Sequence, residues 1–458
     1  MTPRQGMALF LVASFAVLAA FLGARSVTDP GLAIPLSAEL LALLGGTLFL
    51  LQRERDREIR SWLSRLVLAA LAVRVVLLLV VHFGISPYLF APDALLYEYY
   101  GAALRDYWMG VGARPGRVFD SWEVGYFFLN GGSYYLFRES PFGPVVLNLF
   151  TSVWTCILAF FLGRSLFSES VGKVSALLCA FFPSLILWSV LNIRDAISTF
   201  LVTGLVLFGV RAARHLGPKE ALGLGLGLLL LSWMRDYMAV LVFVGLVLGV
   251  VAGVRPDRVG RTLLVGAAGA FAIVLAAQSF GLLQAVPMES PLETLELVRE
   301  DFTRGAGSAY GALLDTSTPA GLAKSLPIGL AYFLFAPFPW AIGSILELAT
   351  LPEVLLWYAL IPFTMVGLRT AFRNHQRGSI LPISVLLVVV VTYALVEGNV
   401  GTAYRHRAQI MPVFFLFTSV GIGAFLNRRK KDSSERRARK KRAVSTLPRA
   451  GRGAVGGE

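Results

Sequence analysis

The chain has 458 residues, 56% of them hydrophobic and only 15% charged, and its mean hydropathy of +0.68 excludes an ordinary soluble globular protein of this size. The net charge of +14 raises the question of a nucleic-acid partner, but 12 of the 42 Lys and Arg residues lie beyond Asn427, in a run without aromatic side chains for base stacking. That run, 427–458, is expected to be a disordered basic cytoplasmic tail, and no nucleic-acid partner is expected.

Crossing the hydrocarbon core of a bilayer takes about 20 apolar residues. Taken in chain order, runs at 7–24, 36–51, 62–83, 143–163, 171–191, 196–210, 221–234, 238–254, 262–280, 352–368, 379–396 and 408–426 reach or approach that length. They predict an all-α polytopic membrane protein of about 12 transmembrane helices, one domain over 1–426. The first run reads as a retained helix, because no clear small-x-small cleavage site follows it. The connections "QRERDREIRSWLSR", "RAARHLGPKE", "RPDRVGR" and "RTAFRNHQR", with the basic tail, place both termini in the cytoplasm. A further apolar piece, 326–347, would send the tail outside if it crossed. Pro337 and Pro339 interrupt it, so a re-entrant or interfacial segment is predicted.

Two long extracytoplasmic segments remain, 84–142 and 281–325, and the polar residues collect there. The first contains "DALLYEYYGAALRDYW" and "EVGYFFLNGGSYYLFR", aromatic amphipathic stretches of the kind that lie along a membrane surface. The second is acidic, then rich in Gly, Ser and Thr, and predicts a short helix followed by a mobile loop. Cys156 and Cys179 fall in apolar runs, so no disulfide framework is implied, and the four histidines have no metal-ligand spacing.

Asp93 follows Pro92 and precedes a helical pattern in which Leu96, Tyr100, Ala103 and Tyr107 share a face, which on local grounds makes it an N-cap. A lone aspartate soon after a span and before a surface helix also resembles the GT-C superfamily of integral membrane glycosyltransferases, which includes aminoarabinose transferases and protein O-mannosyltransferases. The similarity runs over about 84–235, through the "GY" that opens the second aromatic stretch, "LGRSLF" at the cytoplasmic turn and "FFPS" in the next span. The first two spans precede it.

This resemblance implies a GT-C-like fold, a sugar donor carried on a polyprenyl phosphate, an extracytoplasmic site and inversion at the anomeric carbon. It makes Asp93 the expected general base toward a glycan, lipid or protein acceptor. The leaving phosphate needs fixed cations, for which Arg405, Arg407 and Arg235 are the candidates by position, with interfacial anchoring as their plainer reading. His406, Tyr97 and Glu98 are possible substrate contacts. Glu98 is five residues from Asp93 and does not share its helix face, so no obligatory metal or other cofactor is expected. Arg194 and Asp195 read as a helix start, and Arg74, inside a span, has no sequence-level explanation. Two rivals stand beside this reading. One is a polysaccharide polymerase or ligase working on a diphosphate-linked oligosaccharide through the late "YRHR". The other is a lipid or solute transporter.

Overall fold

A computed structural model describes residues 33–52, 54–119, 124–137, 139–140, 142–253, 299, 308–315, 318–373 and 377–445. The expected spans 7–24 and 262–280, most of the 281–325 segment and the end of the tail lie outside the described residues. The helices are α1 (Ala33–Gln52), α2 (Arg57–Leu79), α3 (Ala94–Trp108), α4 (Val124–Phe137), α5 (Phe142–Leu166), α6 (Glu169–Phe181), α7 (Pro183–Leu187) and α8 (Asp195–Arg214). They continue as α9 (Pro218–Met234), α10 (Asp236–Gly253), α11 (Pro319–Phe335), α12 (Ile345–Arg373), α13 (Ile380–Val396), α14 (Val400–Ala408) and α15 (Met411–Ser445). The protein is an all-α polytopic membrane protein. Six helices among the described residues are long and apolar enough to span, and a seventh is formed if α6 and the Pro183–Val190 segment, bent by 60°, count as one.

Every described apolar run of the sequence falls on a helix, and the ends follow local chemistry. Asp56 caps α2 by accepting from the backbone N–H groups of Glu58 (2.8 Å) and Ile59 (3.2 Å), and Ser168 caps α6 through Val171 (3.3 Å). Close helix approach rests on small residues, as expected where lipid supplies no hydrophobic drive between helices. A Cβ on Gly367 of α12 would lie 1.8 Å from the Phe417 carbonyl of α15, and one on Gly421 1.9 Å from the Phe363 carbonyl. α5 is the bundle's centre, with 78% of its apolar window buried against its neighbours.

The two ends of the bundle differ in chemistry. At one, Arg164 of α5 pairs with Glu54 at 2.8 Å and Arg214 of α8 donates to the Ser165 carbonyl at 2.7 Å, binding the basic connections together. At the other, α3 and α4 lie against one another through aromatic contacts. Tyr97 meets Tyr126 edge-on (4.7 Å), and Tyr100 meets Phe127 at 5.3 Å. The outward face of α3 leaves Leu95 and Tyr99 exposed, as in the predicted surface helix.

Three expectations meet a different local picture. Residues 326–335 of the segment expected to be re-entrant are the second part of a regular helix, α11, and the chain is irregular only between Ala336 and Ser344. α11 touches the last turns of α13, with Gly329 against Ala394 and Phe333 stacked on Tyr393 at 5.3 Å. Part of the expected mobile loop is pinned, since Ala309 bridges Asn399 and Tyr310 donates to the Gly398 carbonyl at 2.7 Å. Beyond Asn427 the last helix continues to Ser445, where the Arg, Lys, Glu and Ala residues of the tail are good helix formers.

Candidate active site

Asp93 follows a short Pro87–Phe90 helix and immediately precedes α3, but its side chain does not cap that helix. It turns away, and its Oδ2 accepts from Arg405 Nη1 at 2.9 Å. The N-cap reading therefore fails on geometry, and a helix from the far end of the sequence supplies the partner. Arg405 sits in α14, nine residues held at their start by Asn399, whose side chain accepts from the Gly401 N–H and from the Ser308 hydroxyl. From there its guanidinium reaches a second carboxylate. Nε and Nη2 both contact Asp195 Oδ2, at 2.7 and 2.6 Å.

Asp195 is the residue that the sequence reading set aside. It begins α8 and is 1% exposed, and its other oxygen accepts from Gln409 Nε2 at 2.6 Å and from Arg235 Nη2 at 3.4 Å. Arg235 ends α9 and is equally buried, yet its Nε and Nη1 have no hydrogen-bond partner among the described residues. A buried guanidinium with two unpartnered nitrogens, three N–H groups in all, is a standing deficit that an anion would relieve. Asp93, by contrast, is 36% exposed on its side chain and opens to the outside of the cluster. The result is a line of alternating charge from surface to interior: Asp93, Arg405, Asp195, Arg235. Burial disfavours the Arg405 charge, but Asp195 and Asp93 overcompensate and hold its guanidinium well above its ordinary range.

The loop that delivers Asp195 is fixed by a polar network. Asn148 Nδ2 donates to the carbonyls of Leu191 and Ile193, both at 2.8 Å, while Asn192 bonds Tyr126 Oη and Asn130 Oδ1 at 2.9 and 2.8 Å. α4, α5 and the irregular 191–194 segment are thereby locked together under α3.

The other expected residues divide. Arg407 lies two positions from Arg405, about 200° around the helix, and points to a different task. Its Nη1 donates to the carbonyls of Phe333 (3.2 Å), Leu334 (2.9 Å) and Ala336 (2.9 Å) at the end of α11. It makes its hydrogen bonds with the end of α11, whereas those of Arg405 go to Asp93 and Asp195. His406 pairs through Nδ1 with the fully buried Glu397 and stacks on Tyr393 at 5.0 Å, and burial lowers its pKa against the opposing pull of Glu397. Tyr97 is 1% exposed and packs under α3. Glu98 is half-buried and accepts from the Tyr88 hydroxyl at 2.8 Å, with burial raising its pKa against hydrogen bonds from Tyr88 and Asn192.

Among the described residues, no three Asp, Glu, His or Cys side chains gather as a metal site would require. Sequence reasoning missed Asp195, Gln409 and the asparagine network. The available signal was the density of polar residues in "NIRD" within an otherwise apolar tract.

Residues 124–279 match the family model of dolichyl-phosphate-mannose-protein mannosyltransferases. That tract is about a third of the chain and includes Asp195 and Arg235 but neither Asp93 nor α14. The match bears out the resemblance to the GT-C superfamily. Among solved structures, the chain is similar to the crystal structure of ArnT from Cupriavidus metallidurans bound to undecaprenyl phosphate, with 13% identity and a TM-score of 0.46 over 73% of this chain. The chain spans 60% of that protein's length. No curated protein matches it in sequence.

Proposed function

We propose that this protein is a membrane glycosyltransferase that moves a hexosyl or pentosyl group from a polyprenyl-phosphate-linked donor to a hydroxyl of an envelope glycan, lipid or protein. The observation that carries the reading is the juxtaposition of Asp93 with Arg405, and of Arg405 with a second, deeply buried arginine whose Nε and Nη1 have no hydrogen-bond partner among the described residues. Asp93 keeps Oδ2 on Arg405, and Oδ1 is the oxygen left to receive the acceptor's proton. The acceptor oxygen forms its bond to the anomeric carbon as the bond from that carbon to the phosphate oxygen breaks. The electron pair leaves with the phosphate, and the configuration inverts.

Arg235 and Arg405 would stabilise the leaving phosphate, with Asp195 and Gln409 holding Arg405 in place beforehand. No divalent metal is required in this scheme, and transfer that survives excess chelator is the check. The basic connections lie at the opposite end of the bundle from this site, which supports an extracytoplasmic active site in the cell membrane with both termini in the cytoplasm. The bond between Asp93 and Arg405 also favours this reading over a polymerase or ligase that relies on the late Arg and His residues alone.

The test is to reconstitute the full chain in lipid with a panel of polyprenyl-phosphate sugars and follow release of the free polyprenyl phosphate. Release from one donor class, abolished in Asp93→Asn, is the expected result. Transfer that is unchanged in Asp93→Asn, or donors left intact throughout, overturns the proposal.

A further inference from the structure

Arg74, unexplained by the sequence, lies about 25 Å along α2 from its start and is fully buried. Its partners are the carbonyls of Ala180 (2.8 Å), Cys179 (3.4 Å) and Ala70 (3.2 Å), and the Ser152 hydroxyl, which accepts from both Nε (3.1 Å) and Nη2 (3.0 Å). None is a carboxylate. The arginine is instead placed at the C-terminal end of α6, where a helix dipole and unpaired carbonyls favour a cation.

The reason those carbonyls are available is Pro183. It has no N–H, so the Cys179 carbonyl loses its usual partner four residues on, and the chain bends by 60° between α6 and α7. Ser152, held by Arg74, donates in turn to the Leu185 carbonyl at 3.3 Å, on the far side of the break. One guanidinium and one hydroxyl therefore tie both arms of the bend. The arm beyond it runs through Trp188–Val190 and the asparagine-locked 191–194 segment directly into Asp195.

We infer that Arg74 and Ser152 form a clamp that fixes the α6–α7 bend and through it positions Asp195, making both of them positioning residues for the site. The arm from Pro183 to Val190 is about 12 Å long. A 10° change in the bend would move its end by about 2 Å, and misplacement by about 1 Å can cost a catalytic site about 100-fold. Only the catalytic arm of the test rests on the function proposed above.

The chain has two cysteines, both buried: Cys179 at the end of α6, on the arm the clamp holds, and Cys156 within α5, the helix that carries Ser152. Alkylation by N-ethylmaleimide, read by mass on the full chain in detergent, reports the clamp without reference to activity. In Arg74→Met, Cys179 should react at least 10-fold faster while Cys156 stays protected, and kcat should fall about 100-fold with the donor KM within threefold. Arg74→Lys, which keeps the charge and one reachable carbonyl, should recover part of both.

If Cys179 stays as protected as in the wild type, the clamp is refuted. If Cys179 opens and kcat does not change, the link to Asp195 is refuted. If Arg74→Met exposes both thiols, the same criteria are applied to Arg74→Lys and Ser152→Ala. A wild-type chain that transfers no sugar refutes the functional reading and leaves the thiol arm to decide the clamp.

Discussion

Two arginines, one fully buried and one partly so, show two uses of one side chain. Arg74 faces backbone carbonyls and a serine at a broken helix, and its bonds close a structural gap. Arg405 faces two carboxylates brought from elements 312 and 210 residues away in sequence, beside Arg235, whose Nε and Nη1 have no hydrogen-bond partner among the described residues. A cation on carbonyls stabilises a fold. A cation on carboxylates, next to a second cation with unmet donors, is the arrangement on which the proposed phosphate site rests. Arg407, on the carbonyls of Phe333, Leu334 and Ala336, belongs with Arg74 by this criterion although its neighbour in sequence does not.

The contrast breaks most directly at Asp93. Asp93→Asn keeps the shape and removes the base, so kcat should fall about 1,000-fold with little change in melting temperature; a loss under tenfold would remove Asp93 from the chemistry. Arg405→Met should come next, destabilising the protein by about 3 to 5 kcal/mol because Asp195 is left buried without its main partner. Thermal unfolding of Asp195→Asn combined with Arg405→Met should show recovered stability without recovered transfer.

Arg235→Met should weaken donor binding about 10-fold to 100-fold, at a cost of one charge-assisted contact of about 3 kcal/mol or less, while leaving the melting temperature nearly unchanged. Arg407→Met should do the reverse, lowering stability by about 2 kcal/mol with donor affinity within twofold. A matched result for the two would erase the distinction between carbonyl-bound and ligand-ready arginines.

The smallest effect is expected at Glu98. Its carboxyl is raised above the ordinary 4.5 by burial, so the folded state holds a proton that the unfolded chain releases. Stability should therefore decline as pH rises from about 4.5 through the raised value. Glu98→Gln should flatten that dependence in melting curves taken across the window.

Much of the architecture was legible in the sequence because hydropathy is a local sum: ten of the predicted runs fall on described helices, and the aromatic pair α3 and α4 sits where its amphipathic pattern required. The site was legible only in part. Asp93, Arg235 and Arg405 were visible as charges flanking apolar runs, but nothing local separated Arg405 from Arg407, which differ only in helical phase and in what lies opposite. Asp195 was misread because a carboxylate at a helix start is most often a cap, whereas here burial and a distant guanidinium define it.

The sequence by itself determined that this chain fills a membrane with helices, which ends of them are basic, and which few residues are chemically unusual there, since each of those properties is carried by residues near one another in the chain. Tertiary structure alone decided which carboxylate meets which guanidinium, because those partners come from α3, α8, α9 and α14 and are brought together only by packing.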